Sequence, residues 1–189
     1  MAEDAVTENE KEDDLLSAEE RQLLDSTEVR EEDAAQFPQE LIAESTEELT
    51  SKQRENIYQM ILKMSVPQKI RLAMLGNREA RKVLIHDRNR VISTAVLRSP
   101  KITESEILFF AQERNTPQEV ILTICKRRTW LKKYQIKLAL VGNPKTPLTR
   151  AVQFLSHLHD KDLQALYHNK NIPSVLSQTA WQVLRKRRP

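Results

Sequence analysis

Arg78, Arg81 and Lys82 stand at i, i+3 and i+4, so a helix through them gathers three cations on one face, and Lys133 with Lys137 repeats the i, i+4 step. Arg88 and Arg90 flank a helix junction, and Arg185-Lys-Arg-Arg188 forms a basic C-terminus. Around Trp130 the pattern changes. Lys126, Arg127 and Arg128 precede it and Lys132 and Lys133 follow, which sets an aromatic between two basic clusters, the combination that single-stranded nucleic-acid sites use. These residues form the candidate binding surface. Each cluster alone also fits a solvated face that keeps a helical protein soluble. Trp181, Tyr134 and Tyr167 are expected to fill a core, as large aromatics in small helical domains usually do.

Catalytic chemistry finds little support. The chain has only two glycines, Gly76 and Gly142, neither in a strand-to-helix context, so no loop can cradle a phosphate. His157-Leu-His159 with Asp160 and Asp162 is the one group that resembles a metal site, yet residues two apart on a helix point to different faces. No metal, cofactor or small-molecule substrate is expected. Cys125 lies among Val120, Ile121, Leu122 and Ile124, the setting of a buried structural thiol. As the single cysteine it has no internal disulfide partner, and no secretory leader pattern is present, which points to a cytoplasmic protein. The longest apolar runs, such as Leu138 to Val141, are too short to cross a membrane.

The net charge of +3 conceals two opposed halves. Residues 1–50 hold 18 Asp and Glu against 3 Lys and Arg, a net of −15; the rest hold 27 Lys and Arg against 9 Asp and Glu, a net of +18. The acidic part has Phe37 as its only aromatic, so residues 1–49 are expected to form a disordered tail. Two islands interrupt it: Ser17-Ala-Glu-Glu20, a capping box beside Leu15, Leu16, Leu23 and Leu24, and Pro38 to Ile42, which can open a helical turn.

Residues 50–189 are expected to form one basic all-α domain of short helix pairs stacked as a small α-solenoid. Thr50-Ser-Lys-Gln53 is a capping box, and Ile57, Met60, Ile61 and Met64 then recur with the helical period. Ser65 to Gln68 and Thr103 to Glu106 are further boxes; Thr116-Pro117 and Thr146-Pro147 place proline where a helix start tolerates it. Asp160 can cap the following helix, and Pro173 opens the last.

Stops repeat as apolar-x-x-Ala-x-x-x-Asn: Ile70, Ala73, Asn77; Leu108, Ala111, Asn115; Ile136, Ala139, Asn143. Ile92, Ala95 and Ser99 fit with serine for asparagine, and Ala165 with Asn169 fits without the apolar position. Alanine would permit close helix approach, and asparagine the left-handed residue that ends many helices. Restarts follow at once, in full as Asn143-Pro-Lys-Thr-Pro147. On these turns residues 65–185 resemble the leucine-rich repeat variant proteins, close in architecture to HEAT repeats. That resemblance implies short helices paired around the turn and stacked as a right-handed solenoid. The iron–sulfur cysteine cluster found beside some members has no counterpart here. Spacings between the repeated alanines, 22, 16, 28 and 26, are uneven.

Two functions follow from a net +18 over one small domain. One is a non-enzymatic scaffold holding an acidic protein partner, with the acidic tail as an intramolecular competitor or as a recruiting element. The alternative is a nucleic-acid-binding module that contacts the phosphate backbone with little sequence specificity.

Overall fold

Ser17, Thr50 and Ser65 begin helices by the same exchange. The Ser17 N–H donates to Glu20 Oε2 at 2.7 Å and the Glu20 N–H to Ser17 Oγ at 3.2 Å. Thr50 and Gln53 make the equivalent pair at 2.8 and 3.3 Å, and the Ser65 N–H donates to Gln68 Oε1 at 2.9 Å. Such boxes satisfy N–H groups that a helix start leaves without an acceptor.

The computed structural model of the chain describes residues 16–44 and 50–187, and every regular element among them is helical. In order they are α1 (Ala18–Ser26), a short 3-10 turn η1 (Glu31–Gln36), α2 (Gln39–Ile42), α3 (Ser51–Leu62), α4 (Val66–Leu75), α5 (Arg78–Leu84) and α6 (Arg90–Arg98). Then come α7 (Glu104–Gln112), α8 (Gln118–Lys126), α9 (Arg128–Leu131), α10 (Tyr134–Gly142), α11 (Leu148–Leu155), α12 (Asp160–His168) and α13 (Ser174–Arg187). No described helix is long and apolar enough to cross a membrane. The chain divides into two compact units, Met1–Thr103 and Glu104–Pro189.

In the first unit α6 is buried from Val91 through Leu97 and serves as the centre. Helices α4, α5 and α1 pack on it, α3 packs on α5, and η1 and α2 close over α4 and α5. The expectation of disorder throughout 1–49 therefore does not hold for residues 16–44. Leu16, Leu24, Phe37 and Leu41 are buried there, and their apolar surface offsets the ordering entropy that charge density alone would leave unmet. In the division by contacts, residues 16–44 belong to the unit that ends at Thr103.

The second unit stacks α7 on α10, α10 on α11, and α13 on both α11 and α12. Ile107, Phe110, Ile121, Ile124, Leu140, Leu155 and Leu163 fill its interior.

The uneven repeat spacing has a structural cause. Between the Ala73 and Ala95 helices lies one helix, α5; between those of Ala111 and Ala139 lie α8 and α9; between those of Ala95 and Ala111 lies none. The shortest interval thus falls where the two units meet in sequence. Ala73, Ala95 and Ala111 are fully buried, in keeping with close approach, whereas Ala165 is exposed.

The stop asparagines differ from expectation: Asn77, Asn143 and Asn169 have φ of −79°, −85° and −78°, and no described residue has positive φ. Their side chains carry the turn instead. Asn143 Nδ2 donates to the carbonyls of Ala111 at 2.8 Å and Glu113 at 3.1 Å, and Asn77 Nδ2 to those of Glu40 and Ala43, both at 2.8 Å. Lysines two residues past a stop add to this: Lys145 Nζ donates to Thr116 O at 2.8 Å and Lys101 Nζ to Leu75 O at 2.8 Å. Each turn thereby closes carbonyls that the preceding helix end leaves open. Gly76 is required by space, since a Cβ there would lie 2.5 Å from Leu72 O.

Candidate functional site

Of the cations read as one face on α5, only Arg78 is exposed. Arg81 turns inward, 1% exposed, donating to Gly76 O at 2.6 Å and to Glu44 Oε1 at 3.4 Å, so the expected face of three does not form. Lys82 is half-buried and pairs with Glu79 at 2.5 Å. Arg88 and Arg90 are exposed around the start of α6.

The acidic segment meets two further cations of this unit. Asp25 pairs with Arg98 at 3.3 Å, Asp33 with Arg71 at 3.8 Å, and Arg71 Nε also donates to Glu28 O at 3.3 Å. Leucines anchor these contacts: Leu24 is 6% exposed beside Asp25, and Leu41 is fully buried beside Glu40. Exposed ion pairs contribute little each, so burial of the leucines holds the segment and the charges set its placement.

In the second unit Trp130 is 8% exposed, and the Arg127 guanidinium lies over its ring at 4.0 Å. The ring is thus covered by its neighbour. Arg128, Lys132 and Lys133 are exposed around it, with Lys133 paired to Glu104 at 2.8 Å; Lys126 and Lys137 are half-buried. The basic cluster remains on the surface, but the aromatic between its halves is core.

Trp181 and Tyr167 reverse the expectation made for them. They are 46% and 39% exposed and stack on each other at 5.0 Å, with His168 against the Tyr167 ring edge. Arg185 lies one turn beyond Trp181 on a helix without a carboxylate. The apolar stripe of this helix is narrow, limited to Leu176, Ala180 and Leu184, and it leaves Trp181 outside.

Tyr134, the third of these aromatics, bridges helices. Its hydroxyl donates to Asp162 and accepts from the His159 N–H at 3.0 Å, and the His159 ring lies 4.3 Å from its own. Burial and Asp162 raise the phenol above its ordinary range, against the pull of the His159 N–H. His159, rather than Asp160, holds the cap position of α12, and Asp160 pairs with Arg187 at 2.8 Å. The carboxylates near the histidines are thus engaged in structure, and no group of metal-ligating residues forms among the described residues. Cys125 is buried, and that burial pushes its thiol up to about 12 against an opposing effect of Arg150, a state unsuited to nucleophilic attack.

Charge divides by unit. Residues 1–103 hold 15 Lys and Arg against 21 Asp and Glu, a net of −6, while residues 104–189 hold 15 against 6, a net of +9. Comparison of the chain with family models, curated proteins and solved structures gives no match. The residues and their geometry carry the functional reading.

Proposed function

We propose that the chain is a non-enzymatic binding protein whose second unit holds an acidic protein partner. The observation that carries this is the distribution of charge: the excess of nine cations sits in residues 104–189, whereas the first unit is net acidic and its Arg71, Arg81 and Arg98 are met by carboxylates of residues 16–44. Arg128, Lys132, Lys126 and Lys137 around Trp130, with Lys133, make the contact surface. A potential of this kind recruits polyanions and sets association rates.

The acidic segment itself supports the protein reading. It is an acidic, leucine-bearing stretch seated on helices with buried leucines and Asp–Arg pairs, which is the form a partner segment would take. In this reading it is an in-built occupant of the first unit and competes there with acidic partners. The Asn-Pro-Lys-Thr-Pro turn keeps the leucine-rich repeat variant and HEAT-like architecture as the proposed lineage, in a reducing compartment such as the cytoplasm.

A second reading, backbone-directed nucleic-acid binding, draws on one observation, the exposed Tyr167 and Trp181 stack beside Arg185. Titrating the full chain with short poly-glutamate and with a polythymidine strand, each at two salt concentrations, separates the two. The proposal expects binding of poly-glutamate that weakens with salt. Preference for polythymidine, with log K falling against log salt at a slope of about −3.5 for about five contacts, would overturn it.

A further inference from the structure

Thr116 and Thr146 occupy equivalent places, each directly before the proline that opens a helix, yet their hydroxyls fare differently. Thr116 Oγ1 donates to Phe110 O at 2.9 Å. Thr146, 8% exposed, has no hydrogen-bond partner for Oγ1 among the described residues. Thr146 lines a half-open cavity of about 220 Å³ formed by the turn after α10 and the turn before α13. Val141, Leu148, Ile172 and Leu176 give it apolar walls, and Leu148 is 42% exposed there. Gly142 lines it too, and a Cβ at that position would meet nothing within 4 Å.

A buried hydroxyl without a partner is costly, and an apolar hollow beside it suits a ligand that brings one polar group and one aliphatic group together. A peptide does this: a side chain enters while its backbone carbonyl or N–H reaches the hydroxyl. The wall segments 141–151 and 169–177 carry Lys145, Arg150 and Lys170 and no carboxylate, so the flanks of such a peptide are acidic. The chain already holds one segment of that chemistry, where Leu24 is buried beside the Asp25 to Arg98 pair.

We infer that the cavity at Thr146 is the anchor pocket for a leucine-sized side chain of an acidic partner peptide, with the Thr146 hydroxyl bonded to the peptide backbone. This rests on the acidic-partner reading above and assigns it a specific docking point. The nearby Tyr167 and Trp181 stack is not needed for it.

The test titrates the full chain, labelled with 15N, with the blocked peptides Glu-Glu-Leu-Glu-Glu, Glu-Glu-Ala-Glu-Glu and Gln-Gln-Leu-Gln-Gln, and with a polythymidine strand. The acidic leucine peptide is expected to bind about tenfold more tightly than its alanine counterpart, from burial of the added aliphatic groups, with shifts at the Gly142, Thr146 and Ile172 amides. Gly142→Leu, which fills the cavity from open space, should erase that preference, and Thr146→Val, which removes the hydroxyl, should weaken both glutamate peptides alike, each variant keeping a cooperative thermal transition. Equal binding of the two glutamate peptides overturns the pocket and leaves the acidic-partner reading standing. Equal binding of the glutamine and glutamate leucine peptides overturns the acidic preference. A leucine preference that survives Gly142→Leu, with Thr146→Val leaving the affinity of both glutamate peptides unchanged, overturns the location. Binding of none of the peptides overturns both readings, and shifts at these amides with polythymidine alone replace the peptide by nucleic acid.

Discussion

Arg81 and Glu44 form an asymmetric pair: the guanidinium is 1% exposed and its carboxylate partner 56%, at 3.4 Å. The burden of burial lies on one side, and the Gly76 carbonyl at 2.6 Å shares the compensation. Arg81→Ala is expected to cost about 3 kcal/mol through loss of packing and of the carbonyl contact, whereas Glu44→Gln costs under about 1 kcal/mol, as for an exposed pair. Denaturant unfolding of both full-length variants checks this; equal losses would place the stabilisation in the ion pair.

Asn143 closes two carbonyls of the preceding repeat helix and accepts from the Lys145 N–H at 2.9 Å. Asn143→Ala should therefore destabilise the chain by about 2 to 3 kcal/mol, since two buried acceptors lose their donor. Lys145→Met, which keeps the aliphatic stem, should cost about 1 kcal/mol. Comparable small losses in both would assign the turn to packing alone.

Capping boxes at Ser17, Thr50 and Ser65 were legible because donor and acceptor lie three residues apart, within one turn of chain. The disposition of Arg81 was not, for its acceptors are Gly76 and Glu44, the latter brought near only by folding. Trp130 shows the same limit. Its basic neighbours are evident in the sequence, but that Arg127 stacks over the ring follows from the break between α8 and α9 at that residue. Nor could composition reveal that residues 16–44 are ordered, because a few leucines at helical spacing outweigh a charge count only once a complementary surface exists.

Thr116→Val and Thr146→Val form a matched pair. The first should lose about 1 kcal/mol with its bond to Phe110 O, and the second should be neutral or stabilising by up to about 1 kcal/mol, because the hydroxyl it removes has no partner among the described residues. Thermal unfolding of the two variants reads the difference directly, and equal losses would mean that Thr146 is satisfied in solution.

Cys125 makes stability sensitive to alkali. Its folded-state value of about 12 lies above the ordinary 9.0 of a free thiol, so the native thiol keeps its proton after the unfolded one has lost it. This contribution is fully present below pH 9 and falls by about 1.4 kcal/mol per pH unit above it, until the folded thiol ionises. Cys125→Ala should remove that slope at a small constant cost, and unfolding curves between about pH 8 and about pH 10.5 test it. A thiol reagent should react with the native chain only at the rate of opening.

Asp25→Asn with Asp33→Asn weakens the hold of the acidic segment on Arg98 and Arg71 while leaving Leu24 and Leu41 in place. Affinity for poly-glutamate should rise by about threefold at low salt and by less at high salt, where both contacts are screened. Unchanged affinity at low salt would mean that these cations take no part in binding a partner.

In most long-range braces the donor lies later in the chain than the acceptor, as in Arg71 to Glu28, Asn77 to Glu40, Lys101 to Leu75, Asn143 to Ala111, Lys145 to Thr116, and Arg187 to Ser156 and Leu158; Tyr134, which donates to Asp162, runs the other way. During synthesis the acceptors emerge first. Each helix leaves the ribosome with its terminal carbonyls still hydrated and is sealed when the next turn arrives, so assembly has a direction set by translation.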